Sequence, residues 1–154
     1  MNKIIKMLLY KLQKDNLKIS SKASIEQLHS FVQKTNLLLP QDISEYFEKI
    51  NGTDGDYDDN LFTFYNLLDF KNIKDGLFTW SGSPDYSGLI DTLDNNADIF
   101  IFADHSFKMF TYAIRLYPII SDKNEVFILC GNEYRVIANS FTEFIDLYLD
   151  DDIS

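Results

Sequence analysis

The chain has 154 residues, with 24 acidic side chains against 14 basic ones and a formal net charge of −10. Hydrophobic residues at 45% and charged residues at 25% sit near the globular average, which excludes a disordered or fibrous class. The length suits a single domain spanning 1–154 that buries a core without metal or disulfide staples, and thirteen Phe with nine Tyr predict a core built on large rings.

The charge is uneven. Residues 1–39 carry seven lysines against Asp15 and Glu26, a net of +5, whereas residues 40–154 carry seven basic against twenty-two acidic groups, −15. An acidic surface repels nucleic-acid phosphates and attracts basic proteins. No nucleic-acid partner is expected on that ground.

Ile5, Leu8, Leu9 and Leu12 fall at helical spacing and predict a first helix over 3–14, within a basic N-terminal extension, 1–23. The run from Met1 to Lys11 places lysine ahead of apolar residues as a signal peptide does. Lys6 and Lys11 interrupt it, no small-residue cleavage site follows, and no other stretch approaches the ~20 apolar residues of a spanning helix. Together with a lone Cys130, expected as a small buried hydrophobe, this predicts a cytoplasmic protein with no membrane partner.

Ser24 followed by Gln27 makes a capping box for a second helix, with Ile25, Leu28, Phe31 and Val32 on one face until Thr35-Asn36. Pro40 suits the first turn of a third, whose apolar face is Ile43, Tyr46, Phe47 and Ile50 and whose end is marked by Asn51-Gly52. An acidic, turn-rich loop over 51–60 leads to a short strand from Leu61 to Tyr65. Residues 66–96 carry weaker signals: a short helix around 67–75, then loops bearing Trp80, Pro84 and Tyr86.

From Asp98 strands dominate. Ile99 to Ala103 is apolar, Phe110 to Leu116 alternates as a half-buried strand does, and Glu125–Cys130 and Tyr134–Ala138 flank Gly131-Asn132-Glu133 as a hairpin. Ser140 with Glu143 makes a second capping box for a helix through Phe141, Phe144, Ile145, Tyr148 and Leu149. The order predicts an α+β fold, a central antiparallel sheet flanked by N-terminal helices and a C-terminal helix.

Chemistry finds little footing in this pattern. Asp54, Asp56 and Asp58 alternate like the first ligands of an EF-hand, but Asp59 stands where its glycine is required and Tyr65 where its bidentate Glu belongs. His29 reads as a core-edge residue, and Asp104-His105-Ser106 as turn residues rather than parts of a triad. Without metal-spaced Cys/His ligands or a glycine-rich phosphate cradle, no metal or cofactor is expected. With twenty-four acidic residues, a neighbouring carboxylate pair says almost nothing about acid–base catalysis.

The segment Leu39-Pro40-Gln41-Asp42-Ile43-Ser44-Glu45-Tyr46-Phe47-Glu48-Lys49-Ile50-Asn51-Gly52 resembles the signature of the SUKH superfamily, which includes bacterial immunity proteins and relatives of a fungal cell-wall-synthesis regulator. Leu61–Tyr65 occupies the place of the family's next strand, and Val136–Ile145 looks like its closing strand, Ser-Phe turn and final helix. The resemblance covers about 24–150. Two departures are Thr53, where a second glycine is frequent, and the Asp-rich loop in place of a more neutral turn.

The resemblance implies a non-catalytic protein-binding domain and, for bacterial members, neutralisation of a cognate toxin; a regulatory or scaffolding module of the same fold is the alternative. A basic toxin domain, with a nuclease among the candidates, would suit the acidic surface. Asp54, Asp56, Asp58 and Asp59 are the expected steering charges and Trp80 and Tyr86 the expected aromatic anchors, although a buried Trp80 is also consistent with the sequence.

Overall fold

Two capping sequences set two of the helix starts. In the computed structural model, which describes residues 2–77 and 80–153, α1 spans Lys3–Lys14, α2 Ile25–Thr35, α3 Gln41–Lys49 and α6 Phe141–Leu149. Ser24 Oγ accepts from the Gln27 amide while Gln27 Oε1 accepts from the Ser24 amide, so the first capping box is complete. The second is half made: Ser140 caps Glu143, but the Glu143 carboxylate accepts from the Asn139 amide instead. Asp42 compensates, accepting from both the amide and the hydroxyl of Thr142 at 2.9 Å and thereby tying α3 to the start of α6.

The sheet is antiparallel throughout. Strands β1 (Phe62–Phe64), β3 (Ile99–His105), β4 (Phe110–Arg115), β5 (Val126–Cys130) and β6 (Glu133–Ala138) lie in that order, and β2 (Lys71–Asn72) shares with β1 the same edge of β3. Alternation splits the core in two. Phe100, Tyr112, Ile114 and Val126 face α1, α3 and α6, while Ile99, Ile101, Ala113, Phe127 and Leu129 face a second cluster. A bulge at Phe102 resets the alternation, so that Phe102 and Ala103 both reach the helical side.

The second cluster corrects the expectation of a half-buried β4. The segment holding α4 (Ile73–Leu77) and α5 (Leu89–Thr92) covers that face with Ile73, Leu77, Tyr86 and Leu89, so Thr111 and Ala113 are as buried as Tyr112 and Ile114. Residues 78–79 of this stretch lie outside the described residues. Two smaller corrections belong here. His29 is exposed because the helix turns it away from Leu28 and Phe31, and Cys130 is only partly buried because it closes the β5–β6 hairpin at the sheet's rim.

Aromatic rings fill the helical side. Phe47, Phe70, Phe100 and Phe31 form one chain of contacts at 5.0–5.4 Å between centroids, and Phe102 meets Phe141 and Phe144 edge-on at 5.3 and 4.9 Å. Such geometries place positive ring edges on negative faces, worth about 0.5–1.5 kcal/mol per pair beyond burial.

The basic first helix is part of this core. Ile5, Leu8 and Leu12 are fully buried against α3 and α6, and the Asn2 amide donates to Glu45 Oε2. Lys11 lies over the Tyr148 ring, 4.8 Å from its centroid, and its Nζ stands 3.9 Å from Asp58 Oδ2.

Asp58 is itself buried. Its Oδ1 accepts from the amides of Asn60 and Phe62, and its Oδ2 accepts from the Tyr148 hydroxyl at 2.6 Å. Burial and the Asp58 carboxylate together hold the Tyr148 phenol well above its ordinary range. Asp58→Ala is expected to destabilise the fold by about 2–4 kcal/mol, because it strands three donors. Lys11→Met, which removes a part-exposed ammonium with its pair to Asp15 at 2.8 Å, its long pair to Asp58 and its contact with Tyr148, should lose less, about 1 kcal/mol. Urea unfolding midpoints at constant m-value check both; equal losses would show that the pair, and not the hydrogen-bonded carboxylate, joins the elements.

Candidate protein-binding surface

The acidic loop leaves α3 through a backbone that only glycine fits. Gly52 has φ +90°, and a Cβ there would stand 2.7–2.8 Å from main-chain atoms of Phe64, Tyr65 and Asn66. Asn51 beside it donates to the Ser21 carbonyl and accepts from the Leu67 amide, joining the loop to segments on either side. Thr53, standing where a second glycine is frequent, is buried: its hydroxyl accepts from the Phe64 amide and donates to the Asp56 carbonyl. The departure at Thr53 thus fastens the loop to β1.

The four loop carboxylates separate. Asp54 and Asp59 are exposed, Asp56 is half-buried and accepts from the Lys18 amide at 3.1 Å, and Asp58 turns inward as described. Asp58 therefore cannot meet a partner, a correction whose cause is the three donors that hold it. Each of the alternating carboxylates has its own local partner or faces solvent. Among the described residues no group of three or more His, Cys, Asp or Glu side chains is placed to hold a metal ion.

Next to the loop stands a turn that the sequence gives no glycine to make. Between β3 and β4, Ser106, Phe107 and Lys108 have φ of +54°, +55° and +68°, three successive left-handed residues that carry side chains. Left-handed backbone costs roughly 1–2 kcal/mol per such residue, so the surroundings must hold it. They do so from four directions. Ser106 donates its amide to the Leu61 carbonyl, the Lys108 amide donates to Asp104 Oδ1, the Tyr86 hydroxyl donates to the Lys108 carbonyl at 2.7 Å, and the Tyr57 ring packs on Phe107 at 4.7 Å.

The result is an exposed Phe107, 60% accessible, beside Leu61 at the end of the acidic loop and Met109 at the foot of β4. These apolar residues escape sequence reasoning; an apolar residue in the connection between two strands is the one available signal. Tyr86, expected as an anchor, is buried with its phenol pushed up to about 12 by burial, and it serves the surface only by supporting the Phe107 turn. Trp80 is half-buried; its indole N–H donates to the Pro84 carbonyl and its face receives Lys108 Nζ at 5.3 Å. Loop, turn and Trp80 thus form one continuous strip through Tyr57, Phe107 and Lys108.

Asp104 underlies the strip. It lies in β3 rather than in the turn, is buried, and accepts from the hydroxyls of Tyr65 at 2.5 Å and Tyr57 at 3.4 Å. Burial raises its carboxyl above the ordinary 3.8, opposed by these hydrogen bonds and by Lys108. The same burial, with the Asp104 charge, lifts the Tyr57 phenol to about 12. His105 stacks between Phe62 and Phe110 at 4.6 and 5.9 Å, a packing role.

The architecture is that of an α+β domain with N-terminal and C-terminal helices on one side of an antiparallel sheet. The chain matches the SMI1 / KNR4 family (SUKH-1) model over residues 22–147 and belongs to that family. No curated protein and no solved structure matches it. Helix α1 precedes the matched region although it completes the core. No helix among the described residues is long and apolar enough to cross a membrane.

A carboxyl held above its unfolded value contributes stability that is complete below pH 3.8 and is lost as pH rises through the folded value. The stability of the wild type relative to Asp104→Asn is therefore expected to fall as pH rises above 3.8. Urea midpoints for both proteins across the acid range measure this difference; a difference that rises with pH would show that the tyrosine hydrogen bonds outweigh burial.

Proposed function

We propose that this chain is a non-catalytic protein-binding domain, an immunity protein that neutralises a cognate toxin of a polymorphic or contact-dependent system in the cytoplasm. Its partner is a basic toxin domain, for which a nuclease is the natural candidate because a phosphate-gripping groove must be basic. Family membership supports the protein-binding role. The observation that carries the choice of surface is the exposed Phe107 held in a strained turn beside the exposed carboxylates of Asp54 and Asp59.

Asp54, Asp56 and Asp59 supply the steering field, Phe107 the central apolar contact, and Trp80 the far end of the strip. An interface of roughly 1,600 Å² would extend well beyond these residues. The carboxylates nearest a recess beside β1 do not favour hydrolysis: Asp104, the buried one, already accepts from two tyrosine hydroxyls and a backbone amide.

The experiment pairs the chain with the product of the adjacent gene and follows association by stopped flow. Association is expected to slow more than about tenfold between low and high salt, and Asp54→Asn with Asp59→Asn should slow it further with little change in dissociation. Phe107→Ala should raise Kd by roughly 30-fold or more, mainly through faster dissociation. A salt-indifferent rate removes the steering role, an unchanged Kd for Phe107→Ala removes the anchor, and a neighbouring product that is no toxin points to a regulatory module instead.

A further inference from the structure

At the opposite border of the sheet from the acidic loop, β6 is an open edge. Residues 132–136 are exposed, including the large apolar side chains of Tyr134 at 42% and Val136 at 47%. Cys130 pairs with Glu133 across the two-residue turn Gly131-Asn132, and in an antiparallel hairpin that closing pair exchanges both main-chain hydrogen bonds. The next pair, Leu129 with Tyr134, is consequently of the wide type. The amide and carbonyl of Tyr134 point away from β5, toward solvent.

The side chains flanking Tyr134 are of opposite charge. Glu133 and Arg135 project from the same face of β6, and neither has an ion-pair partner among the described residues. We propose that β6 pairs antiparallel with β6 of a second copy of this chain, across a two-fold axis at Tyr134. That register sets Tyr134 opposite its own counterpart, so that the outward amide and carbonyl of each are satisfied by the other. It also sets Glu133 opposite Arg135 twice, once on each side of the axis, where cross-strand side chains are closest.

A one-residue shift spoils the match, because centring on Arg135 opposes two arginines. Each copy carries −10, but the acidic loop precedes β1 at the far border of the sheet, and the joined strands present one positive and one negative side chain apiece. The inference stands whether or not the toxin reading does.

Sedimentation of the full chain at 0.15 M salt tests it, over loadings from roughly 1 μM to 1 mM, since an edge pairing this short belongs to the weak class of interfaces. A reversible monomer–dimer equilibrium is expected. Arg135→Glu, which opposes glutamates on both sides of the axis, should weaken it about tenfold or more. The double change Glu133→Arg with Arg135→Glu should restore it. Glu133→Arg mixed with Arg135→Glu should form a heterodimer that neither variant forms alone. A monomer at every concentration, or a dimer indifferent to Arg135→Glu and to the swap, overturns the proposal; circular dichroism on each variant separates loss of pairing from loss of fold.

Discussion

A single carboxylate taken out of water organises one end of this molecule. Asp58 is surrounded by the amides of Asn60 in its own loop and Phe62 at the start of β1, the Tyr148 hydroxyl from α6 and, slightly farther, the ammonium of Lys11 from α1. An unpaired charge in that position would be prohibitive, so the loop, β1 and both helices are obliged to keep their mutual placement. The uneven charge of the sequence thereby acquires a structural consequence: the basic N-terminal helix is docked onto the acidic body, with its apolar stripe carrying the packing and Lys11 beside the buried acid.

With the loop fixed from inside, what remains outside is pre-positioned. Asp54 and Asp59 flank the inward-turned segment, and the neighbouring turn at 106–108 is held in a left-handed conformation by Tyr86, Asp104, Leu61 and Tyr57 acting together. A turn with this much strain relaxes unless several contacts agree on it. Their agreement means that Phe107 loses little further freedom when a partner covers it, and side-chain ordering is one of the main costs of association. On the proposed reading, it is this rigidity of the support that suits the strip to docking.

Much of the architecture could be read from local signals. Ser24 with Gln27, Pro40, Asn51-Gly52 and Ser140 fix helix borders because capping groups act within four residues of one another, and the first helix follows from an apolar stripe alone. What failed to show was whatever depends on distant contacts. Asp58 and Asp59 are neighbours of identical chemistry; one of them is held inward by two nearby amides and by Tyr148, ninety positions away. The burial of the centre of β4 on both faces depends on a segment whose own helices are four and five residues long, too short for periodicity to reveal. Tyr86, expected as an exposed anchor, is buried, and Phe107, of which nothing was expected, is exposed, for the same reason: a turn made without glycine has no local signature, and the tyrosine that stabilises it comes from another part of the chain.

Charge placement within the strip also gives it a direction. On the side nearest α1, the loop meets Lys18 through the bond from its amide to Asp56, and α1 and the segment after it expose Lys14, Lys18 and Lys22. On the other side, Asp54 and Asp69 border a recess of about 160 Å³ with Tyr57 and Tyr65 on its walls. A positively charged surface approaching the loop is repelled from the first side and drawn to the second, over distances of about one Debye length, 8–10 Å at ordinary ionic strength. The uneven charge of the chain, which at first describes only composition, thus distinguishes the two sides of one loop.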